Sequence, residues 1–306
     1  MKMGPKDMHL GKVAVTGGSG RLGRFVVDEL AGRANVTVID IRPPVQKDVA
    51  FVESTVLDFE GLKRAFAGHD AVIHLAAIPN PRTAPADITF NTNVQGTWNV
   101  LQAAEDAGVK RVAVASSDAA TGLHYNPPDW DPQYLPVDEA HVLRPIEFYS
   151  LSKEVTEVMC RCYAVRGKMS VIVIRPTHIV FEPEWPELEA RGADPQNYHF
   201  WAYVEPEDVA QAFRKSLELT DVSYDTFFIA AADSLAARPT LEMMRERIGR
   251  DLPVKNAAVF QNEPYAPVFD ISHARDVLGY EPKSDWRKLY AKVPEAKRWG
   301  RTAPAA

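Results

Sequence analysis

Only two cysteines occur in 306 residues, Cys160 and Cys162. Two apart on an expected helix, they point to different faces, so neither a mutual disulfide nor a metal site is expected. Long apolar runs are also missing. Nothing approaches the roughly 18 residues needed to cross a bilayer, and the opening Met1 to Asp7 has no hydrophobic signal core. The expected location is therefore the cytoplasm, with no membrane contact. The formal net charge is −6, which removes the electrostatic case for nucleic acid. No internal repeat or low-complexity segment is found. What remains, 46% hydrophobic and 25% charged residues, is the composition of a globular protein long enough to bury a sizeable core.

The most informative stretch is Val13 to Leu30. A short apolar run enters three glycines spaced G-x-x-G-x-x-G (Gly17, Gly20, Gly23) and then a segment with apolar residues at helical spacing. In a strand-turn-helix of this kind the glycines permit a positive φ, a close backbone approach to a pyrophosphate, and tight packing of helix on strand. The N–H groups opening the helix then face an anion. A second apolar run, Val36 to Ile39, ends in Asp40, 17 residues beyond Gly23. A carboxylate there accepts both hydroxyls of an adenosine ribose and repels a 2′-phosphate, favouring NAD; Arg42 leaves NADP open. The plainer alternative is a strand-turn-helix that binds nothing.

Further along, strands are expected at 51–58, 71–77, 111–117, 170–174 and 226–230. Helices are expected at 59–66, 87–107, 147–166, 206–219 and 240–250, with a last one at 272–278. A proline-rich loop spans Tyr125 to Pro145, and 181–200 reads as loop or short helices. This alternation implies an α/β fold, a doubly wound parallel sheet covered on both faces, with a small C-terminal α/β cap over the carboxyl ends of its strands, where such folds place their ligand.

Tyr149 and Lys153 stand four apart, on one face of a helix. An unperturbed phenol titrates near pH ~10 and is a poor base at neutrality, but a neighbouring cation lowers that value. Tyr149 can then exchange a proton with a substrate hydroxyl while hydride moves. Ser117, at the end of the expected fifth strand, brings a hydroxyl to the same oxygen. Taken alone, either Ser116 or Ser117 reads as a strand-end serine with a satisfied hydroxyl.

These residues belong to an ordered set: Thr16-Gly17-Gly18-Ser19-Gly20-Arg21-Leu22-Gly23, Leu57-Asp58, His74-Leu75-Ala76-Ala77, Asn93-Val94-Gln95-Gly96-Thr97, Ser116-Ser117, Tyr149-x-x-x-Lys153, Arg175-Pro176 and Asp208-Val209-Ala210. Through most of its length the chain resembles an extended short-chain dehydrogenase/reductase of the NAD-dependent epimerase/dehydratase type. The resemblance implies a Rossmann domain at 1–176, rejoined by 204–232, and a substrate-binding cap at 177–203 and 233–306. It implies a catalytic triad of Ser117, Tyr149 and Lys153, with Lys153 also holding the nicotinamide ribose. Asp58 would meet the adenine amino group, and Ala76 and Ala77 would line the pyrophosphate and ribose path. Pro176 and the residues after it would lie beside the nicotinamide amide. Arg21, Leu22, Ile41, Arg42, Leu57, Leu75 and Asn93 complete the expected cofactor site, Asn93 mainly by steadying helix-strand packing. His74 is expected to be a packed strand histidine. A homodimer, paired through helices near 88–107 and 147–166, is implied as well.

Three reactions share this machinery: oxidation or reduction of a sugar or similar polyol or acid, epimerisation through a transient ketone, and dehydration. Family dehydratases carry Asp-Glu after the catalytic hydroxyl residue; here Ser117 is followed by Asp118 and Ala119, so dehydration is disfavoured. Asp118 either bonds a substrate hydroxyl or caps a turn. The segment 177–203 is short for a nucleotide-sugar enzyme, and Arg191 is its lone candidate for a diphosphate. A smaller free substrate fits better, as in uronate dehydrogenases, which are similarly compact and share the Ser-Ser motif. Their carboxylate-binding arginine has no counterpart; His199 falls nearby. Pro79, Ser117, Asp118, His178, Arg191 and His199 are the expected substrate contacts. Trp185, Tyr198, Phe200 and Trp201 serve either sugar stacking or core packing. A different class of function, an NAD(P)-binding redox sensor without turnover, is the remaining alternative.

Overall fold

The computed structural model describes residues 9–124 and 130–299; the N-terminal stretch read for a signal core and part of the proline-rich loop, 125–129, lie outside them. The chain runs through β1 (Lys12–Thr16), α1 (Gly23–Leu30), β2 (Asn35–Asp40), β3 (Ala50–Glu53), α2 (Phe59–Phe66), β4 (Ala71–His74), α3 (Ala86–Phe90), a π-turn (Asn91–Gln95) and α4 (Gly96–Asp106). It continues with β5 (Arg111–Ala115), a 3-10 turn (Asp118–Thr121), α5 (Phe148–Val165), β6 (Ser170–Pro176), α6 (Leu188–Ala193), α7 (Pro206–Glu218), β7 (Tyr224–Ile229), α8 (Thr240–Ile248), α9 (Ala257–Asn262), a π-turn (Ala274–Leu278) and α10 (Trp286–Ala291).

All pairings in the sheet are parallel, in the order β3-β2-β1-β4-β5-β6-β7. The strands are apolar on both faces because both are covered, and their pleat divides them between two cores. Val13, Val15, Ala71, Ile73, Ile172 and Ile174 face α1 and α7. Ala14, Val72, Val112, Val114, Val171 and Val173 face α2, α4 and α5. The order reverses between β1 and β4, which opens a crevice at their carboxyl ends. A third cluster, with Val180, Leu188, Phe200 to Tyr203, Leu235, Phe269 and Leu289, sits over β6 and β7 and forms the cap.

Several boundaries differ from the sequence-based expectation for identifiable reasons. The third strand stops at Glu53, since Asp58 turns back to cap α2, its carboxylate accepting from the Gly61 N–H at 2.9 Å. The expected helix 87–107 is broken by the π-turn, inside which the Asn93 amide bonds Ile78 in both directions, at 2.8 and 3.1 Å. The segment 272–278 is not the last helix; α10 follows it. Phe200 and Trp201, both buried, have φ of 52° and 59°. The surrounding packing holds this left-handed backbone, at a cost of order 1 to 3 kcal/mol per residue. No helix among the described residues is long and apolar enough to cross a membrane. Cys160 is buried and Cys162 exposed, neither in a disulfide.

His74 is buried at the end of β4, between Thr16 Oγ1 at 2.7 Å and Thr97 Oγ1 at 3.0 Å. Burial, reinforced by the charge of Lys153, pushes its ring down to about 3. The unfolded chain therefore binds a proton below about pH 6.5 that the native state refuses until about pH 3, so stability is lost as the pH is lowered through that window. Replacing His74→Gln is expected to flatten this slope in denaturant titrations run between pH 7 and 4; an unchanged slope would contradict the neutral buried ring.

Candidate active site

The crevice between β1 and β4 opens into a cavity of about 660 Å³ that runs along the carboxyl ends of the central strands to the cap, a size suited to a small-molecule site. At one end is the glycine turn. Gly17 has φ +73°, and a Cβ there would lie 2.6 Å from the Ala76 nitrogen; a Cβ on Gly23 would lie 2.3 Å from the Gly17 carbonyl oxygen. No side chain fits between this turn and the neighbouring backbone, which leaves the N–H groups at the start of α1 open to an anion. That is the cradle a dinucleotide pyrophosphate needs.

At the centre stand the three residues that the resemblance makes catalytic. Glu147 caps α5, accepting from the Tyr149 N–H at 2.7 Å, and so fixes the turn that carries Tyr149. Lys153, one turn later, is buried; its Nζ donates to the Ala115 carbonyl at 2.9 Å and lies 5.9 Å from the centre of the Tyr149 ring. Burial pulls this ammonium down to about 8, against the raising effect of Cys160 and Glu157. Ser117 faces them from just past β5. Its Oγ accepts from the Ala119 N–H at 3.1 Å and donates to Asp118 Oδ1 at 3.0 Å.

The adjacent serines have separate tasks. Ser116 is buried and donates to Glu157 Oε1 at 2.6 Å; Glu157 is gripped by both arms of Arg175, at 2.8 and 2.6 Å. This ion pair fastens α5 to the ends of β5 and β6. Its sequence signal, an acid four residues after Lys153 on the same helical face, was there to be read.

At the cap end, the carboxylate of Asp118 meets His124, Oδ2 to Nε2, at 2.9 Å, both side chains being buried. His124 Nδ1 is 2.7 Å from the Tyr198 carbonyl. Burial alone would lower this ring's pKa, but the Asp118 charge prevails and raises it. His199 stacks on His178, with centres 4.1 Å apart, and its ring nitrogens have no hydrogen-bond partner among the described residues. Burial, added to by His178, His124, Arg191 and Arg82, keeps it neutral, well below an ordinary histidine.

Of the expected site residues, Gly17, Gly20, Arg21, Leu22, Gly23, Leu75, Ala77, Pro79, Ser117, Asp118, Tyr149, Lys153, Pro176, His178 and His199 line this single cavity. Arg191 does not; its guanidinium is bound to Glu187 at 2.7 Å and to Glu184 and His178. Asp40, Ile41, Arg42, Leu57 and Asp58 stand beyond the cavity, at or just past the ends of β2 and β3. Asp40 Oδ2 accepts from the Ser19 N–H of the glycine turn at 3.1 Å, and Ile41 and Leu57 are exposed. Ala76 supports Gly17 from behind. Asn93 ties the loop after β4 to α5 through Ser152 Oγ at 3.0 Å. His124 and Arg82 also line the cavity; neither carries a sequence signal, since both sit in aperiodic loops.

The model of the NAD dependent epimerase/dehydratase family matches residues 13–183. The chain belongs to that family. It is thus an enzyme of the short-chain dehydrogenase/reductase superfamily that works with a nicotinamide dinucleotide, and the glycine cradle fits that group. Among its relatives, the L-arabinose 1-dehydrogenase (NAD(P)(+)) of Haloferax volcanii is 31% identical over 68% of this chain and 83% of its own length. The UDP-glucose 4-epimerase of Streptococcus mutans is 26% identical over 89% and 92%. A short-chain dehydrogenase/reductase superfamily protein from Agrobacterium tumefaciens, solved with bound NAD, shares the fold at a TM-score of 0.69, with 24% identity over 92% of this chain and 95% of its own.

Keeping Lys153 buried and charged costs stability. Lys153→Met is expected to raise unfolding stability at pH 7 by about 2 kcal/mol while abolishing turnover; a destabilised variant in denaturant melts would argue against a strained ammonium.

Proposed function

We propose that this family member oxidises, reversibly, a hydroxyl of a small sugar not attached to a nucleotide, with NAD as the preferred cofactor. The observation that carries the reading is that Ser117, Tyr149 and Lys153 converge on the cavity that also contains the glycine cradle. A nicotinamide held between the glycine turn and Lys153 would supply the acceptor and donor of hydride for the substrate carbon. Tyr149 takes the hydroxyl proton as that carbon is oxidised and returns it in the reverse direction. Lys153, charged below about pH 8, favours the phenolate that must form and holds the nicotinamide ribose. Ser117 donates to the reacting oxygen and orients it. Asp40, with Ile41 and Leu57 nearby, receives the adenosine end; its carboxylate supports NAD, and Arg42 is the feature that would admit NADP. Asp58 is engaged as the cap of α2, so its contact with adenine would be made by the carboxylate oxygen that this cap leaves open.

The relatives support a sugar substrate in two ways, as dehydrogenase and as nucleotide-sugar epimerase. The free sugar is favoured here because Arg191, the residue expected to meet a diphosphate, is occupied by Glu184 and Glu187. Ala119 in place of a second acid leaves no partner for water elimination. Tyr149→Phe is expected to cut kcat by 10² to 10⁴, roughly, on whichever aldose or sugar acid turns over, with NADH binding retained. Turnover that survives the substitution would refute the proton role, and cofactor binding with no turnover of any sugar would favour a redox sensor.

We also propose a homodimer. Ile88 on α3, Trp98 on α4, and Leu151, Val158 and Val165 on α5 are large apolar side chains exposed on neighbouring helices. The three on α5 recur every seven residues, one stripe of the helix. Sedimentation equilibrium at micromolar concentration should report a dimer that Val158→Glu dissociates; a wild-type monomer would overturn it.

A further inference from the structure

The sequence left two tasks open for Asp118, and the geometry separates them. The turn after Ser117 is capped by Ser117 itself, whose Oγ accepts the Ala119 N–H. The Asp118 carboxylate is therefore not spent on the turn. It lies on the cavity wall, buried, against an equally buried His124. Nδ1 of that ring faces a carbonyl oxygen, which can only accept, so it carries a proton; Nε2 faces carboxylate Oδ2, a second acceptor. Nδ1 is thus a donor, and the 2.9 Å approach of Nε2 to Oδ2 is that of an ion pair. Two charges withdrawn from water are a poor source of stability, and these two sit beside the place where substrate must bind.

Ser117 supplies the second observation. Its hydroxyl proton is directed at Asp118 Oδ1, 3.0 Å away. To donate to a reacting oxygen, that hydroxyl must turn, and a buried carboxylate oxygen then loses its donor, which is costly unless another replaces it. The separation of Ser117 Oγ from Asp118 Oδ1 is comparable with that of two oxygens on adjacent carbons of a gauche diol. We propose that the Asp118–His124 pair reads the hydroxyl on the carbon next to the one oxidised, so that the substrates are sugars with a free vicinal diol at the reacting end. This rests on the sugar-oxidising reading above. His124 is a positioning residue: it occupies Oδ2, leaving Oδ1 for the substrate, and is itself held to the cap by the Tyr198 carbonyl and the rings of Phe200 and Phe269. An anionic substituent at the neighbouring carbon would meet the carboxylate and be rejected.

The test compares D-galactose, D-glucose and L-arabinose with their 2-deoxy counterparts. Two readouts are used: NADH formation, and binding of the same sugars to the enzyme–NADH complex by saturation-transfer NMR. The parent sugar should exceed its 2-deoxy form by at least about 100-fold in kcat/KM, and should bind the complex measurably tighter. Asp118→Ala should bring the two sugars to near equality. Asp118→Asn/His124→Gln, which removes both charges together and leaves none uncompensated, should do the same with folding intact by circular dichroism. Equal handling of both sugars by the wild type, or discrimination that persists in the double variant, overturns the assignment. The binding readout judges it even if no sugar is oxidised, an outcome that would fall on the proposed reaction instead.

Discussion

The buried carboxylate of Glu157 is the fixture on which the site depends. It takes a hydrogen bond from Ser116 at the end of β5 and two from Arg175 at the end of β6, so one helix is locked to two strands at the level where the strands stop. An ion pair so deep needs every oxygen satisfied to break even, and here both are. Because α5 cannot slide or rotate on the sheet, Lys153 and Tyr149, one and two turns toward its start, arrive where Ser117 stands. The ammonium is then held by a strand-end carbonyl, so its position is set by main chain.

The same economy governs the other end of the cavity. The glycine turn is packed so tightly on Ala76 and on itself that side chains are excluded, and its openness to an anion is a by-product of that packing. Between the two ends the wall is made of residues at strand termini. The cap contributes histidines and aromatic rings over them, in a layer with its own core.

Much of this was legible in the residues. Apolar strands alternating with amphipathic helices gave the sheet, because burial on both faces leaves a continuous apolar signature. The glycine spacing and the Tyr149–Lys153 interval are local patterns fixed by helix and turn geometry, and fifteen of the expected site residues meet in one cavity. What could not be read depends on contacts between distant segments. His124 acquires meaning only when the loop after β5 folds against Tyr198, and Arg191 loses its expected task only when Glu184 and Glu187 close around it. The break in the helix at Asn93 likewise depends on a loop 15 residues upstream. The cap helices α9 and α10 are six residues each, too short for periodicity to declare them.

Phe200 and Trp201 hold their backbone in the left-handed region with no glycine to ease it. Their shape is imposed from behind, by Trp201 Nε1 on the Asp194 carbonyl and Arg247 on the Asn197 carbonyl. The segment next to Tyr198 and His199 on the cavity wall is thus under tension, and residues outside the cavity set its contour. A lineage could therefore reshape this cavity through changes deep in the cap, leaving every residue that lines it untouched.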